Sequence, residues 1–221
     1  LGHPDNDPYQ PFRRADVGLW GGILAYQTGI LDPMSDAQDN KQYTVANNLA
    51  TGSRTNPSMR NVNKGSIDEY SISGGFNIQN ILYLGFTIGI QDILYRNDNY
   101  YAETYDNNSL PLNGMNYIRS LHLDGTGVNF KFGAVVRPIE NLRIGVAVHT
   151  PTLVSINEEY IEWMSADYKN TARGELLDSP RSLNEYDINT PTRLLTGISY
   201  TLPGVGLITA DYERVWYNRM K

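Results

Sequence analysis

Four cations and two acids stand on alternate positions of otherwise apolar segments: Lys131, Arg137, Arg143 and Arg193, then Asp211 and Glu213. Side chains two apart on an extended chain share a face. Charges placed this way serve one of two ends. They pair across neighbouring strands as a charge ladder, here Lys131, Arg137, Asp211 and Glu213. Or one cation stays free to meet a ligand carboxylate, a task suited to the planar fork of Arg143 or Arg193. Catalysis finds no comparable set. His3, His122 and His149 are not spaced as metal ligands, and His149 reads as a hydrogen-bonding wall residue at a strand end. Glu158, Glu159 and Glu162 lack a partner motif and read as a solvated face. Gly125-Thr126-Gly127 followed by Gly133 has neither the spacing nor the strand–turn–helix setting of a dinucleotide loop. An enzyme, a metal and a cofactor are therefore not expected.

The elements that must hold those charges are paired strands. Short turns fall at Ile78-Gln79-Asn80, Pro138-Ile139-Glu140-Asn141 and Leu202-Pro203-Gly204, roughly 60 residues apart. Around them apolar and polar residues alternate. One face of the first pair takes Tyr70, Ile72, Phe76 and Ile78, then Leu82, Leu84, Phe86, Ile88 and Ile90. The second pair gives Val128, Phe130, Phe132, Ala134 and Val136, then Leu142, Ile144, Val146 and Val148. The third gives Leu194, Ile198 and Tyr200, then Ile208, Ala210 and Tyr212. This period of two predicts six strands. Residues 17–31 are apolar without clear period and fit either a strand or a loop helix. Residues 32–65, 96–116 and 155–190 read as long polar loops. Within the last, Ile156, Tyr160, Met164 and Tyr168 recur every four residues, which predicts a loop helix.

Tight turns at one end, loops of about 20 to 36 residues at the other, and strands apolar on one face define an expected fold. It is an all-β, transmembrane, antiparallel β-barrel. Soluble hairpins use loops of about 2–5 residues. Composition agrees. No apolar run approaches the ~18 residues of a spanning helix. Mean hydropathy is -0.42, as a barrel allows because only alternate strand residues meet lipid. The 16 tyrosines against 5 phenylalanines suit membrane–water interfaces; Tyr95, Tyr100, Tyr101, Tyr105, Trp216 and Tyr217 fall where such a belt would lie. A net charge of -6 with no basic stripe argues against nucleic acid as a partner. There is no cysteine. Leu1 is not an initiator methionine and no signal sequence follows it. The chain, residues 1–221, thus reads as one partial barrel domain from inside a longer precursor.

The stretch Gly127-Val128-Asn129-Phe130-Lys131-Phe132-Gly133, then Val136-Arg137-Pro138, then Leu142 through Thr152, resembles the middle of FadL-type outer-membrane transport proteins. The likeness is strongest to the Bacteroidetes-type branch often labelled hemin receptors. Thr190-Pro191-Thr192-Arg193 and Asp211-Tyr212-Glu213 continue it, so that it spans about residues 66–217. The resemblance implies a bacterial outer-membrane location and a fourteen-stranded barrel with an N-terminal hatch and closing strands that this chain lacks. It also implies passive uptake of hydrophobic small molecules such as long-chain fatty acids. Extracellular loops would capture them, and they would leave sideways through a kinked strand, without ATP or cofactor. Three histidines give the hemin label little support. Tyr100, Tyr101, Trp163 and Met164 are the expected apolar contacts, in an entrance formed by 96–116 and 155–190. Arg143 and Arg193 are the expected head-group contacts. Outer-membrane lipid and the hydrophobic ligand are the expected partners. The alternative is an accessory barrel that binds other envelope proteins in secretion or surface assembly.

Overall fold

The computed structural model describes residues 9–33, 43–45, 54–106, 112–169 and 176–220. A helix, α1 (Trp20–Gln27), precedes a two-stranded ribbon of β1 (Leu31–Pro33) and β2 (Tyr43–Val45). Nine further strands follow: β3 (Thr55–Ile78), β4 (Leu82–Tyr105), β5 (Leu112–Ile139), β6 (Leu142–His149), β7 (Leu153–Tyr168), β8 (Leu177–Asp178), β9 (Ser182–Asn189), β10 (Arg193–Leu202) and β11 (Gly206–Val215). They form one mainly antiparallel sheet in the order β11-β10-β6-β5-β4-β3, with β7 joined to β5, β8 and β9. No helix among the described residues is long and apolar enough to cross a membrane. Packing divides the chain into two compact units. The first comprises 1–64, 95–122 and 158–184; the second comprises 65–94, 123–157 and 185–221.

Turn chemistry sets the hairpins. Gln79 and Asn80 both take positive φ, 52° and 57°, as a primed hairpin turn requires. The Ile81 amide donates to Ile78 O at 3.0 Å, and Asn77 and Asn80 bond through their side chains at 2.7 Å. At the third turn Pro203 supplies its fixed φ and Gly204 a φ of 74°, the residue pair of a type II turn.

The strands run further than hydropathy predicts. β4 reaches Tyr105 and β5 starts at Leu112, so 96–116 is largely strand rather than loop. β3 begins at Thr55, inside the expected 32–65 loop; 34–42 and 46–53 lie outside the described residues. Most of 155–190 is β7, β8 and β9, and the expected loop helix is extended chain. The reason is arithmetic: a spacing of four is also a multiple of two. Ile156, Tyr160, Met164 and Tyr168 therefore share one face of a strand as readily as one face of a helix. The undecided segment 17–31 holds the helix. It closes on Gly29 (φ 76°), with Gly29 N–H donating to Tyr26 O and Ile30 N–H to Ala25 O, a Schellman ending.

In the second unit the two sheet faces are unequal. Phe86, Ile88, Ile90, Phe130, Phe132, Ile144, Val146 and Ile198 are exposed. The residues between them on the other face, Thr87, Gly89, Gln91, Asn129, Lys131, Ala147 and His149, are half-buried or buried. The apolar face is thus the more exposed one.

Two Thr-Pro-Thr triplets interrupt neighbouring strands in this unit. Thr150-Pro151-Thr152 separates β6 from β7, and Thr190-Pro191-Thr192 separates β9 from β10. Proline has no amide to donate, and the threonine hydroxyls stand in for ladder groups. Thr150 Oγ1 accepts from the Phe130 amide at 2.9 Å, and Thr190 Oγ1 accepts from the Thr152 amide at 2.8 Å. The break also resets the faces. In β6 the even residues Ile144, Val146 and Val148 are exposed, whereas in β7 the even residues Val154 and Ile156 are buried. They lean over Gly127 and Gly125, where a Cβ would lie 3.1 and 3.2 Å from their side chains.

The first unit has its own core. Phe12, Trp20, Leu24 and Ile30 pack with Leu112 of β5 and with Met164 and Ala166 of β7. Phe12 meets the Trp20 indole edge-on, centroids 5.9 Å apart at 89°.

Candidate functional site

On the sheltered face of the second unit, registry brings three basic side chains into one row. Lys131 on β5 lies opposite His149 on β6, and His149 lies opposite Arg193 on β10. The next rows are nearly bare: Gly133 opposite Ala147, Val135 opposite Gly145, and Gly145 opposite Gly197. Absent side chains leave a groove of ≈ 840 Å³, lined among others by Ser73, Thr87, Lys131, Gly145, His149, Gly197 and Asp211. Two cations flanking an imidazole, beside a smooth floor, can seat an elongated molecule with an acidic end.

The cations are unequally committed. Lys131 Nζ donates to Glu69 Oε1 at 2.5 Å. Glu69 Oε2 also accepts from Gln91 Nε2 at 2.9 Å and from Asn129 Nδ2 at 3.3 Å, so one carboxylate ties β3, β4 and β5 together. Arg193 reaches Glu213 only at 3.6 Å and remains about half exposed. The His149 side chain makes no hydrogen bond among the described residues. The cation open to an anion is therefore Arg193, with the His149 imidazole beside it as a hydrogen-bonding neighbour. The Glu69 network needs the glycine beside it, since a Cβ on Gly89 would lie 2.7 Å from Asn129 Oδ1 and 3.0 Å from Glu69 Cδ. Gly89→Ala should lower stability by about 1–3 kcal/mol, the usual cost of overpacking. A denaturant midpoint equal to wild type would show that the network is slack.

The other residues singled out in the sequence are scattered. Arg143 lies opposite Ser199, on the groove's side of β6 but away from the cationic row. Arg137 braces the second turn, its Nε donating to Glu140 O at 3.1 Å. Asp211 pairs in register with Gly197, and its Oδ1 sits 2.5 Å from where a Cβ on that glycine would be. His122 is exposed on β5, and His3 lies outside the described residues. In the first unit Tyr100 is exposed beneath the Arg60 guanidinium, 5.8 Å from its ring centroid. The Tyr101 hydroxyl donates to Glu103. Trp163 is half-buried, and Met164 is buried in the core with Trp20 and Leu24. Gln91 and Asn129 fall on the polar faces that the alternation defines, but Glu69 escapes sequence reading because the visible alternation begins at Tyr70, one residue after it.

A second polar set lies in the first unit. Glu162, only 3% exposed, accepts from the Tyr160 hydroxyl at 2.5 Å through Oε1. The Tyr117 hydroxyl also bonds this carboxylate, whereas the buried Nε1 of Trp20 has no partner among the described residues. Burial, then the neighbouring Glu162 carboxylate, pushes the Tyr117 and Tyr160 phenols well above their ordinary range. An orphaned buried polar atom costs about 1–3 kcal/mol, a cost that falls here on the Trp20 indole N–H. Among the described residues no group of three or more metal-ligating side chains converges.

No family model and no curated protein matches the chain.

Proposed function

We propose that the chain forms part of a bacterial outer-membrane β-barrel that passes hydrophobic small molecules, such as long-chain fatty acids, by passive uptake. One observation carries this reading: in the central strands β4, β5 and β6 of the second unit the apolar face of the sheet is the exposed one, and most of the polar face is half-buried or buried. A sheet in water does the reverse, and large exposed apolar areas mark contact with something other than water. Exposed apolar positions recur over about nine residues per strand, the length of a spanning β-strand. The reading requires further strands along β3 and β11, which end the described order, because unpaired edges are not tolerated in lipid. The sheltered groove would be the path, its glycine floor taking the chain and Arg193 with His149 taking the acid end. The resemblance to FadL-type transporters supports the same reading.

Two measurements test it. Protein purified in mild detergent should carry a fatty acid or similar apolar molecule in near-stoichiometric amount by native mass spectrometry. Cells expressing it should take up labelled fatty acid faster than cells without it. An empty protein that travels with another envelope protein, with no gain in uptake, would replace this proposal with the accessory-subunit reading.

A further inference from the structure

A small polar pocket opens within the first unit. Asn97 and Asn99 stand two apart on β4, and Arg119 and Leu121 stand two apart on the neighbouring β5, so each pair shares a face. Tyr160 reaches the same space from β7, which joins β5. These side chains line a volume of ≈ 200 Å³. That is below the about 300–1,000 Å³ of a drug-sized site, and admits one small ring.

The walls carry hydrogen-bonding capacity that the protein leaves unused. Asn99 is only 7% exposed, yet its side-chain amide makes no hydrogen bond among the described residues, although buried polar groups are almost always paired. Asn97 Nδ2 donates to Asn61 Oδ1 at 2.9 Å and to Asn63 Oδ1. Its two N–H groups are thus occupied, while its Oδ1 accepts from none of the described residues. Arg119 forms no ion pair among the described residues; its guanidinium rests over the Tyr117 ring, 5.5 Å from the centroid. The Tyr160 hydroxyl donates to Glu162 Oε1, so toward a ligand it is an acceptor. Its ring is steadied by Trp20, the centroids 6.4 Å apart.

The pocket therefore offers donors from Arg119 and Asn99, and acceptors from Asn97, Asn99 and Tyr160. Leu121 and the Tyr160 ring add apolar surface. An anion suits only the donors, and its oxygens would stand against Asn97 Oδ1. Hydroxyl groups suit both kinds, because each donates one hydrogen and accepts at its lone pairs. Neighbouring hydroxyls on one ring also match the paired N–H groups of an arginine fork.

We infer that this pocket binds one neutral sugar ring, free or at the end of a glycan. Its hydroxyls meet Asn97, Asn99 and Arg119, and its C–H face lies against Tyr160 and Leu121. The site stands whether or not the groove of the second unit carries fatty acids.

The test is saturation-transfer NMR on the full chain in dodecyldimethylamine oxide, a detergent without a sugar head. Glucose, galactose and mannose are the probes. At least one should take up saturation on its ring protons, and inorganic phosphate should not displace it. A disaccharide ending in that sugar binds as well if the source is a glycan end, and is refused if it is the free sugar. Asn99→Leu should weaken binding about tenfold or more. Arg119→Ala should do the same, and its exposed position keeps the test open should Asn99→Leu not fold. No saturation of any probe by the folded wild type, displacement of the sugar by phosphate, or undiminished binding by either folded variant would overturn the inference.

Discussion

Phe132→Arg should largely prevent the chain from reaching a folded, membrane-inserted state. Phe132 is 55% exposed on the apolar face of β5. In a water-soluble sheet, substitution at such a position stays within about 0.5 kcal/mol. Facing lipid near mid-membrane, an arginine costs about 2–4 kcal/mol. The two environments predict opposite results for one residue. The readout is the folded fraction after refolding into liposomes, followed by the gel mobility shift on heating. Glu140→Arg, in the second turn, controls for added charge. Insertion of Phe132→Arg as efficient as wild type would remove the lipid-facing reading of this surface.

The second large effect concerns the groove. Gly133 and Gly145 differ from Gly89 and Gly197 in what a side chain would meet. A Cβ on Gly133 or Gly145 finds its nearest neighbours at 3.6 and 3.7 Å, ordinary contact distances. Leucines there would project into the groove without straining the wall. The Gly133→Leu/Gly145→Leu double variant should therefore insert normally yet lower fatty-acid uptake about tenfold or more, equivalent to about 1.4 kcal/mol or more of added barrier. Uptake at the wild-type rate by a correctly inserted variant would show that ligand does not travel over this floor. The contrast with Gly89→Ala matters: that change strikes the Glu69 network and should cost stability, whereas these should cost passage.

What the sequence makes legible follows one physical rule. Period-two hydropathy appears only where the faces of a strand meet different surroundings. From Ile72 to Ile90 and from Val128 to Val148 they do, and the strands and turns there are readable. Beyond them the rule fails. The stretch Asn56-Pro57-Ser58-Met59-Arg60-Asn61 is polar on both sides, so the start of β3 reads as loop although it is strand. β7 is misread because its four-residue recurrence is ambiguous. At the site, Arg193 and Lys131 are visible as alternating charges, but their partners are not. Lys131 pairs with Glu69, sixty-two residues away, rather than with Asp211 or Glu213. Only registry between β5, β6 and β10 reveals that Lys131, His149 and Arg193 stand side by side. The burial of Met164 under α1 depends on a contact between distant segments that no local pattern announces.

The Thr-Pro-Thr break between β6 and β7 makes chain length, rather than residue identity, the constrained quantity at that point. A strand is an alternating message, and this insert shifts its phase by one place. Most side chains in the break can change without altering which residues downstream point inward. Removing or adding a single residue cannot: Val154 and Ile156 would exchange places with Leu153 and Ser155. Sequence drift in this region is therefore expected to respect count before chemistry, tolerating substitutions where it forbids indels. The matching triplet on the neighbouring strand extends that restriction. A compensated pair of length changes, one in each strand, is the kind of change the two together could accept.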